Sequence, residues 1–459
     1  MYQPAPSQAP GTALRQVYIQ PLIDTARFND FHRSILGWCF LILVLDGYDL
    51  GVVGAALPAI MKQMGVTATT AGFMASSALF GMMLGAMFFG ALADKLGRRT
   101  MLALCITLFS ACTAGAGLTH EPLSFSMARF VAGLGIGGVL PIAAAQMGEF
   151  SPASIRARLV ALVFAGYAVG GVLVAVIGKQ LISDYGWQST FFVAALPLLL
   201  IPFMLKALPE SAPFLVQRGR NQDLRRLAAR IAPDQPIAAD AQFVLAAVDR
   251  HSKAPVLELF REGRGFSTLM IWIAFFFGLF MVYALSSWLT KLLALAGYSL
   301  GSALNFVLIF NTGAILGAVG GAWLGDKFNI KTVLTCLYGL GAVSLALLGF
   351  IKSDALLSVA VFIVGASTLG TQLVAYAFAA AFYPASIRST GVGFASGVGR
   401  AGGILAPIMI GAIVALNLPL EQNFLAIGLA GLLGMIAVAL VDQGRGASLT
   451  PAGSAAASA

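Results

Sequence analysis

Phe150-Ser-Pro-Ala-Ser-Ile-Arg156 recurs 232 residues further along the chain as Phe382-Tyr-Pro-Ala-Ser-Ile-Arg388. The glycine pair at 170–171 recurs at 402–403 with the same offset. A second, well-separated stretch keeps this offset too, with Gly81, Gly85, Asp94, Lys95 and Thr100 matched by Gly313, Gly317, Asp326, Lys327 and Thr332. Because the offset is about half of the 459 residues, the sequence predicts two halves of one fold in parallel repeat.

The composition around this repeat is that of a membrane protein. Hydrophobic residues make up 59% of the chain and charged residues 10%, whereas soluble domains carry about 25% charged residues. Apolar blocks of about twenty residues, without period-two alternation, predict membrane helices rather than a β-barrel. This excludes a soluble enzyme, a secreted disulfide scaffold and a disordered chain. The four cysteines have no metal-ligand spacing and are expected to be buried small hydrophobes.

The hydropathy pattern predicts an all-α integral membrane protein with twelve helices in two bundles of six. The expected spans are 34–60, 70–93, 100–119, 122–148, 158–182, 188–207, 266–294, 300–325, 332–351, 355–382, 389–416 and 422–441. The expected divisions are a cytoplasmic N-terminal segment at 1–33, the first bundle at 34–207, a cytoplasmic loop at 208–265, the second bundle at 266–442 and a disordered cytoplasmic tail at 443–459. Short helices are expected in the loop near 221–231 and 238–250.

Lysine and arginine set the expected orientation. With a cytoplasmic N-terminus, most of the 28 basic residues fall on the cytoplasmic side, ten of them between 206 and 265. The net charge of +9 therefore reflects topology and contact with anionic lipid, and we expect no nucleic-acid partner. The first thirty residues do not resemble a cleaved signal peptide. We expect both termini in the cytoplasm and a location in a bacterial-type inner membrane.

The segment Gly90-Ala-Leu-Ala-Asp-Lys-Leu-Gly-Arg-Arg-Thr100 resembles the signature loop of the major facilitator superfamily. A degraded copy follows at 321–331, and Pro209-Glu210-Ser211 resembles a further element of that family. The resemblance implies the major facilitator fold, with a substrate site between the halves that opens alternately to each side.

A narrower resemblance lies in the first span. Leu45-Asp46-Gly47-Tyr48-Asp49 is similar to the element typical of aromatic acid:proton symporters, as are Arg129 with the glycine-rich run 133–138, Glu149, Arg388 and Arg400. The region from about 30 to 215 resembles benzoate-type members most. The resemblance implies a monomeric importer of benzoate or a hydroxybenzoate, coupled to protons, without a cofactor and serving the catabolism of aromatic compounds.

The two intramembrane aspartates also point to proton coupling by themselves. Asp46 and Asp49 lie near the middle of their span and share a helix face, and a charge there costs about 2.5–3.5 kcal/mol on insertion scales. Two carboxylates this close do not both ionise easily in a low dielectric, so one of them would hold and release a proton. At the repeat offset stand Gly278 and Met281. The alternative is a structural pair with positive partners elsewhere.

Two arginines inside spans likewise break the repeat. Arg129 corresponds to Val361, and Arg400 corresponds to Ala168. A guanidinium matches a carboxylate, so one arginine would bind an anionic substrate and the other would counter the aspartates. We expect Arg400 on the substrate and Arg129 paired with Asp46 or Asp49, while the reverse assignment and a purely structural Arg129 stay open.

Aromatic and polar side chains at similar depth are candidates for the rest of a substrate pocket, although packing is the alternative for each. They are Tyr167, Tyr283, Trp288, Asn311 and Tyr376. A further set at span ends is expected to control conformational change, with an ion pair between Glu149 and Arg156 across a turn. It comprises Gly90, Asp94, Arg98, Arg99, Glu149, Arg156, Asp326 and Arg388.

Two other functional classes compete with proton-coupled import. A proton-coupled exporter of the same fold often carries a Gly-Pro pair in helix five, which reads Gly166-Tyr-Ala-Val-Gly170-Gly171 here and lacks it. A membrane enzyme would need a nucleophile–base or metal constellation, and the spans contain no histidine cluster, Walker loop or Gly-x-Ser-x-Gly. A receptor would need a longer signalling domain than the loop and tails provide.

Overall fold

The computed structural model describes residues 16–233, 242–244, 255–384 and 387–446. Among them, twelve helical spans are long and apolar enough to cross a membrane. The first half contains α2 (Asp30–Met64), α3 (Ala68–Leu96), α4 (Arg98–Ala116), α5 (Pro122–Phe150), α6 (Arg156–Tyr185) and a sixth span of α7 (Gln188–Val193) and α8 (Leu196–Ala207). The second half contains α12 (Gly265–Leu295), α13 (Leu300–Lys327), α14 (Ile330–Leu348), α15 (Asp354–Phe382), α16 (Arg388–Ala415) and α17 (Leu420–Leu440).

Shorter elements lie at the end of the bundles that carries the 90–100 segment, which we call the loop end; the opposite end is the far end. They are β1 (Gln16–Tyr18), α1 (Ile19–Asp24), α9 (Ala212–Gln217), α10 (Asn221–Ile231), β2 (Gln242–Val244), α11 (Pro255–Glu258) and a 3-10 helix (Gln443–Arg445). The expected helix at 221–231 is confirmed. The helix expected over 238–250 is wrong at 242–244, where the chain forms β2 and pairs in parallel with β1.

The remaining residues of that expected helix, and residues 447–459 of the expected tail, lie outside the described residues. The first membrane helix begins at Asp30 rather than at 34, because Asn29 caps it. The Asn29 side chain accepts from the backbone N–H of Phe31 and of His32, and its backbone N–H donates to the His32 ring.

The two halves repeat one another down to individual helix crossings. In the first half, a methyl group added at Gly170 would overlap the Val44 carbonyl on α2; in the second half, one added at Gly402 would overlap the Phe276 carbonyl on α12. Both pairs differ by 232 residues, so the predicted repeat is present in the packing. Close backbone approach at glycine lets these helices pack without intervening side chains.

The turns that close the repeated Pro-Ala-Ser-Ile-Arg segments also match. Arg156 Nε donates to the Ser151 carbonyl at 3.3 Å, and Arg388 Nε donates to the Tyr383 carbonyl at 3.4 Å. The residue before each helix has nearly the same backbone conformation, with φ and ψ of −124° and 1° at Ile155 and −121° and 3° at Ile387. The repeated sequence therefore builds the same turn twice.

Buried side chains form two hydrophobic cores. One contains the second half together with the far-end part of the first half, including Val52 and Leu57 against Leu285 and Leu289. The other contains only the loop-end part of the first half, the N-terminal segment and the region of α9, α10 and β2. The halves thus share a core at the far end.

Candidate functional site

Asp49 lies in the middle of α2 and forms a buried ion pair with Arg129 of α5. The Asp49 carboxylate accepts from Arg129 Nη1 at 2.9 Å, and the Asp49 carbonyl accepts from Nη2 at 3.1 Å. Arg129 also donates to the Thr113 hydroxyl of α4 at 2.5 Å. Both charged side chains are 1% exposed. Two hydrogen bonds and a fork-shaped donor compensate for the removal of this pair from water.

Asp46, three residues earlier, differs from Asp49 in forming no ion pair with a described side chain, although the Oδ1 of each aspartate lacks a hydrogen-bond partner there. It is 1% exposed, and its Oδ1 has no hydrogen-bond partner among the described residues. Burial of a carboxylate oxygen without a donor is costly, so such a group either holds a proton or gains a partner in another state. The adjacent Gly47 packs directly on the Tyr167 carbonyl of α6, which fixes this part of α2 against its neighbour.

Arg400 of α16 is the matching group of opposite charge. It is half-buried, and its Nη1 has no hydrogen-bond partner among the described residues. It lies within electrostatic range of Asp46 and of Tyr283, across the boundary between the halves. The two arginines therefore differ in their partners: Arg129 pairs with an aspartate, and Arg400 has a donor without a partner among the described residues.

Tyr167 of α6 and Tyr283 of α12 lie close to each other between the halves, and both line the same cavity. Tyr167 also lines two small cavities. The first, which we call the seam cavity, has a volume of about 30 Å³ and is lined by residues of α2, α6, α12 and α13, including Gly51, Gly171 and Asn311. The second extends from the tyrosines to Arg129. At this size, the seam cavity holds about two water molecules, so an aromatic ring requires a wider state.

The other pocket candidates lie apart from these cavities. The Tyr376 hydroxyl shares a 2.8 Å hydrogen bond with Ser396, and its ring packs edge-on against Phe275. Trp288 is completely buried, and its indole N–H donates to the Pro407 carbonyl at 3.0 Å. The structure therefore brings Tyr167, Tyr283 and Asn311 together, and places Trp288 in the packing of α12 against α16.

At the loop end, two glutamates organise the start of α4. Glu149 forms an ion pair with Arg98 and accepts from the Ala212 N–H at 2.5 Å. Glu210 accepts from the Arg99 N–H at 3.1 Å and lies against Gly97, whose φ of +94° favours glycine. A carboxylate at a helix N-terminus stabilises the unpaired N–H groups there.

The expected ion pair between Glu149 and Arg156 is wrong in its partners. Glu149 is held by Arg98, while Arg156 turns away from it to pair with Asp24 of α1. The 151–155 turn directs Arg156 toward the N-terminal segment. Asp24 lies in that segment, before the first predicted span, so the pattern of the spans did not indicate it as a partner. A side chain added at Gly90 would meet open space, and the side chains of Asp94 and Asp326 lie outside the described part of the structure.

Contacts between the halves concentrate toward the far end. Ser76 of α3 donates to the Ile404 carbonyl of α16 at 2.7 Å, and Lys179 of α6 donates to Asn305 of α13 at 3.0 Å. Gly54 of α2 packs on the Ser286 carbonyl of α12. The ion pairs formed by described side chains stay within one half and the segments attached to it. The halves therefore close on each other at the far end.

Sequence reasoning missed Gln372 of α15. It is 5% exposed, and neither its Nε2 nor its Oε1 has a hydrogen-bond partner among the described residues. It lies with Tyr338 against Gly278, the counterpart of Asp46 in the repeat. An amide in the middle of an apolar span was a visible signal, but its position opposite Gly278 depends on packing between three helices.

Comparison with known proteins agrees with this architecture. The model of the Major Facilitator Superfamily matches residues 39–371 and 305–457. The benzoate transport protein of Acinetobacter baylyi is 40% identical over 437 residues, covering 94% of each chain. The gallate transporter of Pseudomonas putida is 31% identical over 92% of this chain and 94% of its own. The 4-hydroxybenzoate transporter of Pseudomonas aeruginosa is 32% identical over 93% and 96%.

Solved structures agree on the fold. The D-xylose–proton symporter superposes with a TM-score of 0.67 at 16% identity, over 90% of this chain and 97% of its own. A bacterial homologue of the human lysosomal transporter Spinster, in an inward-facing and occupied conformation, gives 0.69 at 15% identity over the same shares. From the family match and the relatives, this chain belongs to the major facilitator superfamily, is similar to its aromatic-acid transporters, and is a membrane transporter rather than an enzyme.

Proposed function

We propose that this transporter imports an aromatic carboxylate, benzoate or a hydroxybenzoate, together with protons, by alternating access. Relatives named for benzoate, gallate and 4-hydroxybenzoate transport support the substrate class, since each is at least 31% identical to nearly the whole chain. A transporter of this kind must bind a carboxylate inside the membrane and must offer a group that gains and loses a proton.

One observation carries the proposal: Arg400 and Asp46 lie within electrostatic range of each other between the halves, each with a buried atom that lacks a hydrogen-bond partner among the described residues. Asp49, by contrast, forms a buried ion pair with Arg129, although Asp49 Oδ1 and Arg129 Nε also have no hydrogen-bond partner among the described residues. We therefore assign substrate binding to Arg400 and proton coupling to Asp46. Arg129 and Asp49 support the site as a fixed pair.

Coupling then follows from competition for Arg400. When Asp46 carries a proton, it no longer attracts the guanidinium, and Arg400 is free to bind the substrate carboxylate. When the substrate leaves, the positive charge of Arg400 favours release of the proton from Asp46. Substrate and proton thus load together and unload together, as symport requires.

The remaining predicted residues have supporting roles in this proposal. Tyr167, Tyr283 and Tyr376 contact the ring, Asn311 lies at its far side, and Trp288 holds α12 against α16. The loop-end residues Gly90, Asp94, Arg98, Arg99, Glu149, Arg156, Asp326 and Arg388 control closure of that end. We propose a monomer in the bacterial inner membrane with both termini cytoplasmic and basic residues near anionic lipid.

Uptake by purified protein in liposomes tests the proposal. Labelled benzoate or 4-hydroxybenzoate should accumulate above its equilibrium level when the outside is acidified. Equal uptake with and without the gradient would remove the proton coupling. Outward movement driven by protons entering would favour the exporter of the same fold.

Asp46→Asn should abolish gradient-driven accumulation and retain exchange of labelled for unlabelled substrate, because exchange needs no net proton movement. Asp30→Asn is the matched control, since Asp30 lies at the exposed start of the same helix and, among the described residues, pairs with Arg33 alone. Arg400→Gln should lose both gradient-driven accumulation and exchange. If Asp46→Asn still accumulates substrate with the gradient, Asp46 has no part in coupling.

A further inference from the structure

The seam cavity is lined by Asn311, which the proposed function places at the far side of the ring without a defined contact. Asn311 of α13 uses its Nδ2 to donate to the Val307 carbonyl at 2.9 Å, one turn back in its own helix. Its Oδ1 accepts no hydrogen bond from the described residues and lies beside Gly171 of α6, where both residues line the cavity. The Oδ1 is therefore available to a ligand as an acceptor, beside the N–H of Nδ2 that does not bond Val307.

Gly171 makes this arrangement possible. A methyl group at this position would overlap the Asn311 carboxamide, so the absence of a side chain lets the amide cross the boundary between the halves. The rest of the lining is largely apolar and includes Val174, Leu289 and Phe310. An uncharged amide in a largely apolar lining, with Tyr167 and Ser286 as the other polar members, favours a ligand with a flat apolar body and a hydrogen-bond donor.

The position of the cavity relative to Arg400 gives the orientation of such a ligand. Tyr283 lies within range of Arg400 and also meets Tyr167, which lines the seam cavity. Gly171 follows Tyr167 by one helical turn, a rise of about 6 Å toward the far end. A carboxylate at Arg400 thus places the distal edge of an aromatic ring toward Asn311, once the tyrosines separate. Asn311 carries no positive charge, so the carboxylate is better placed at Arg400 than at that end.

We propose that Asn311 is a specificity-determining residue: its Oδ1 accepts a hydrogen bond from a ring hydroxyl, so that hydroxybenzoates are preferred over acids without a ring donor. This inference rests on the proposed function and narrows its substrate class. When an apolar ring edge displaces water from an unpaired acceptor, the acceptor loses its hydrogen bond and the binding of that ring is weakened. A phenol hydroxyl replaces the lost hydrogen bond.

The test is competition against uptake of labelled 4-hydroxybenzoate by unlabelled 3-hydroxybenzoate, 4-hydroxybenzoate, 4-methoxybenzoate and benzoate. In the unmodified protein, at least one hydroxybenzoate should compete about tenfold better than 4-methoxybenzoate, as expected for one hydrogen bond. Asn311→Leu should lose this preference while the inhibition constant of benzoate stays within about twofold, since a single neutral bond is removed.

Thr312→Val is the matched control, because the Thr312 hydroxyl donates to the Leu308 carbonyl of its own helix and does not line the cavity. Gly171→Ala provides a second variant, since a methyl there displaces the Asn311 carboxamide and should flatten the same preference. Equal weakening of every acid, or an unchanged ranking in both variants, would overturn the assignment of Asn311 alone. An unmodified protein that binds no aromatic acid would overturn the proposed function with it.

Discussion

The first helices of the two halves, α2 and α12, have the same packing and opposite chemistry. Each meets its partner at a glycine crossing, Gly170 on Val44 and Gly402 on Phe276. Yet α2 carries Asp46 and Asp49 where α12 has Gly278 and Met281. The second half shows that the fold forms without carboxylates at these positions. The repeated packing therefore does not require the charges of α2, and the cost of burying Asp49 is compensated locally by Arg129, which also bonds Thr113.

The largest effect should come from breaking that compensation. Arg129→Leu leaves Asp49 buried without a partner, and we expect a loss of about 3–5 kcal/mol in the free energy of unfolding. The double variant Asp49→Leu/Arg129→Leu removes both charges and should be less destabilised than the single one. Chemical unfolding in detergent micelles measures both. If the double variant is as unstable as Arg129→Leu, the Asp49–Arg129 pair stabilises the first half more than the corresponding residues, Met281 and Val361, stabilise the second half.

An intermediate effect tests the symmetry of the packing. Gly170→Ala and Gly402→Ala each force a methyl group onto a carbonyl, and we expect each to lower the free energy of unfolding by about 1–3 kcal/mol. The same assay applies. Gly320→Ala is the control, because a side chain there meets open space and alanine favours the helix. A large loss in only one of the two variants would contradict equivalent crossings.

The smallest effect concerns a contact that breaks the repeat. Ser76 bonds Ile404 across the halves, whereas Leu308, its counterpart, has no hydroxyl. Ser76→Ala should weaken far-end closure by about 0.5–1.5 kcal/mol. Spin labels at Leu118→Cys and Leu418→Cys, in a cysteine-free background, should then report more of the separated state. Ser77→Ala is the control, since Ser77 bonds Met74 within its own helix; the same shift in both variants would remove the role of Ser76.

The fold was predictable because its signals are local or periodic. Long apolar blocks define the twelve spans from residues close in sequence, and a constant offset of 232 residues reveals the repeat by comparison of the sequence with itself. The pairing of Arg129 with an aspartate was also accessible, since a buried charge needs an opposite one and few were available at that depth.

The failures share a different origin. Whether Glu149 meets Arg156 or Arg98 depends on how the turn at 151–155 directs a side chain toward Asp24, more than a hundred residues away. The β1–β2 pair joins three-residue strands from distant parts of the chain, too short for any periodic signal. Trp288 is an aromatic residue of the kind that often lines pockets. Its hydrogen bond to Pro407 depends on how α12 crosses α16, which the local sequence does not indicate. Partners that are distant in sequence leave no trace in the pattern of one segment.

The β1–β2 pairing has a consequence for how far the halves can separate. By fastening Val244 to the N-terminal segment, it assigns most of the long connection to the first half, while α11 lies on α16 of the second half. Val244 and Pro255 are separated by ten residues in the sequence, so the distance between these two points of attachment cannot exceed about 3.6 Å per residue. The number of residues between the two points of attachment therefore sets an upper limit on how far the halves can separate at the loop end.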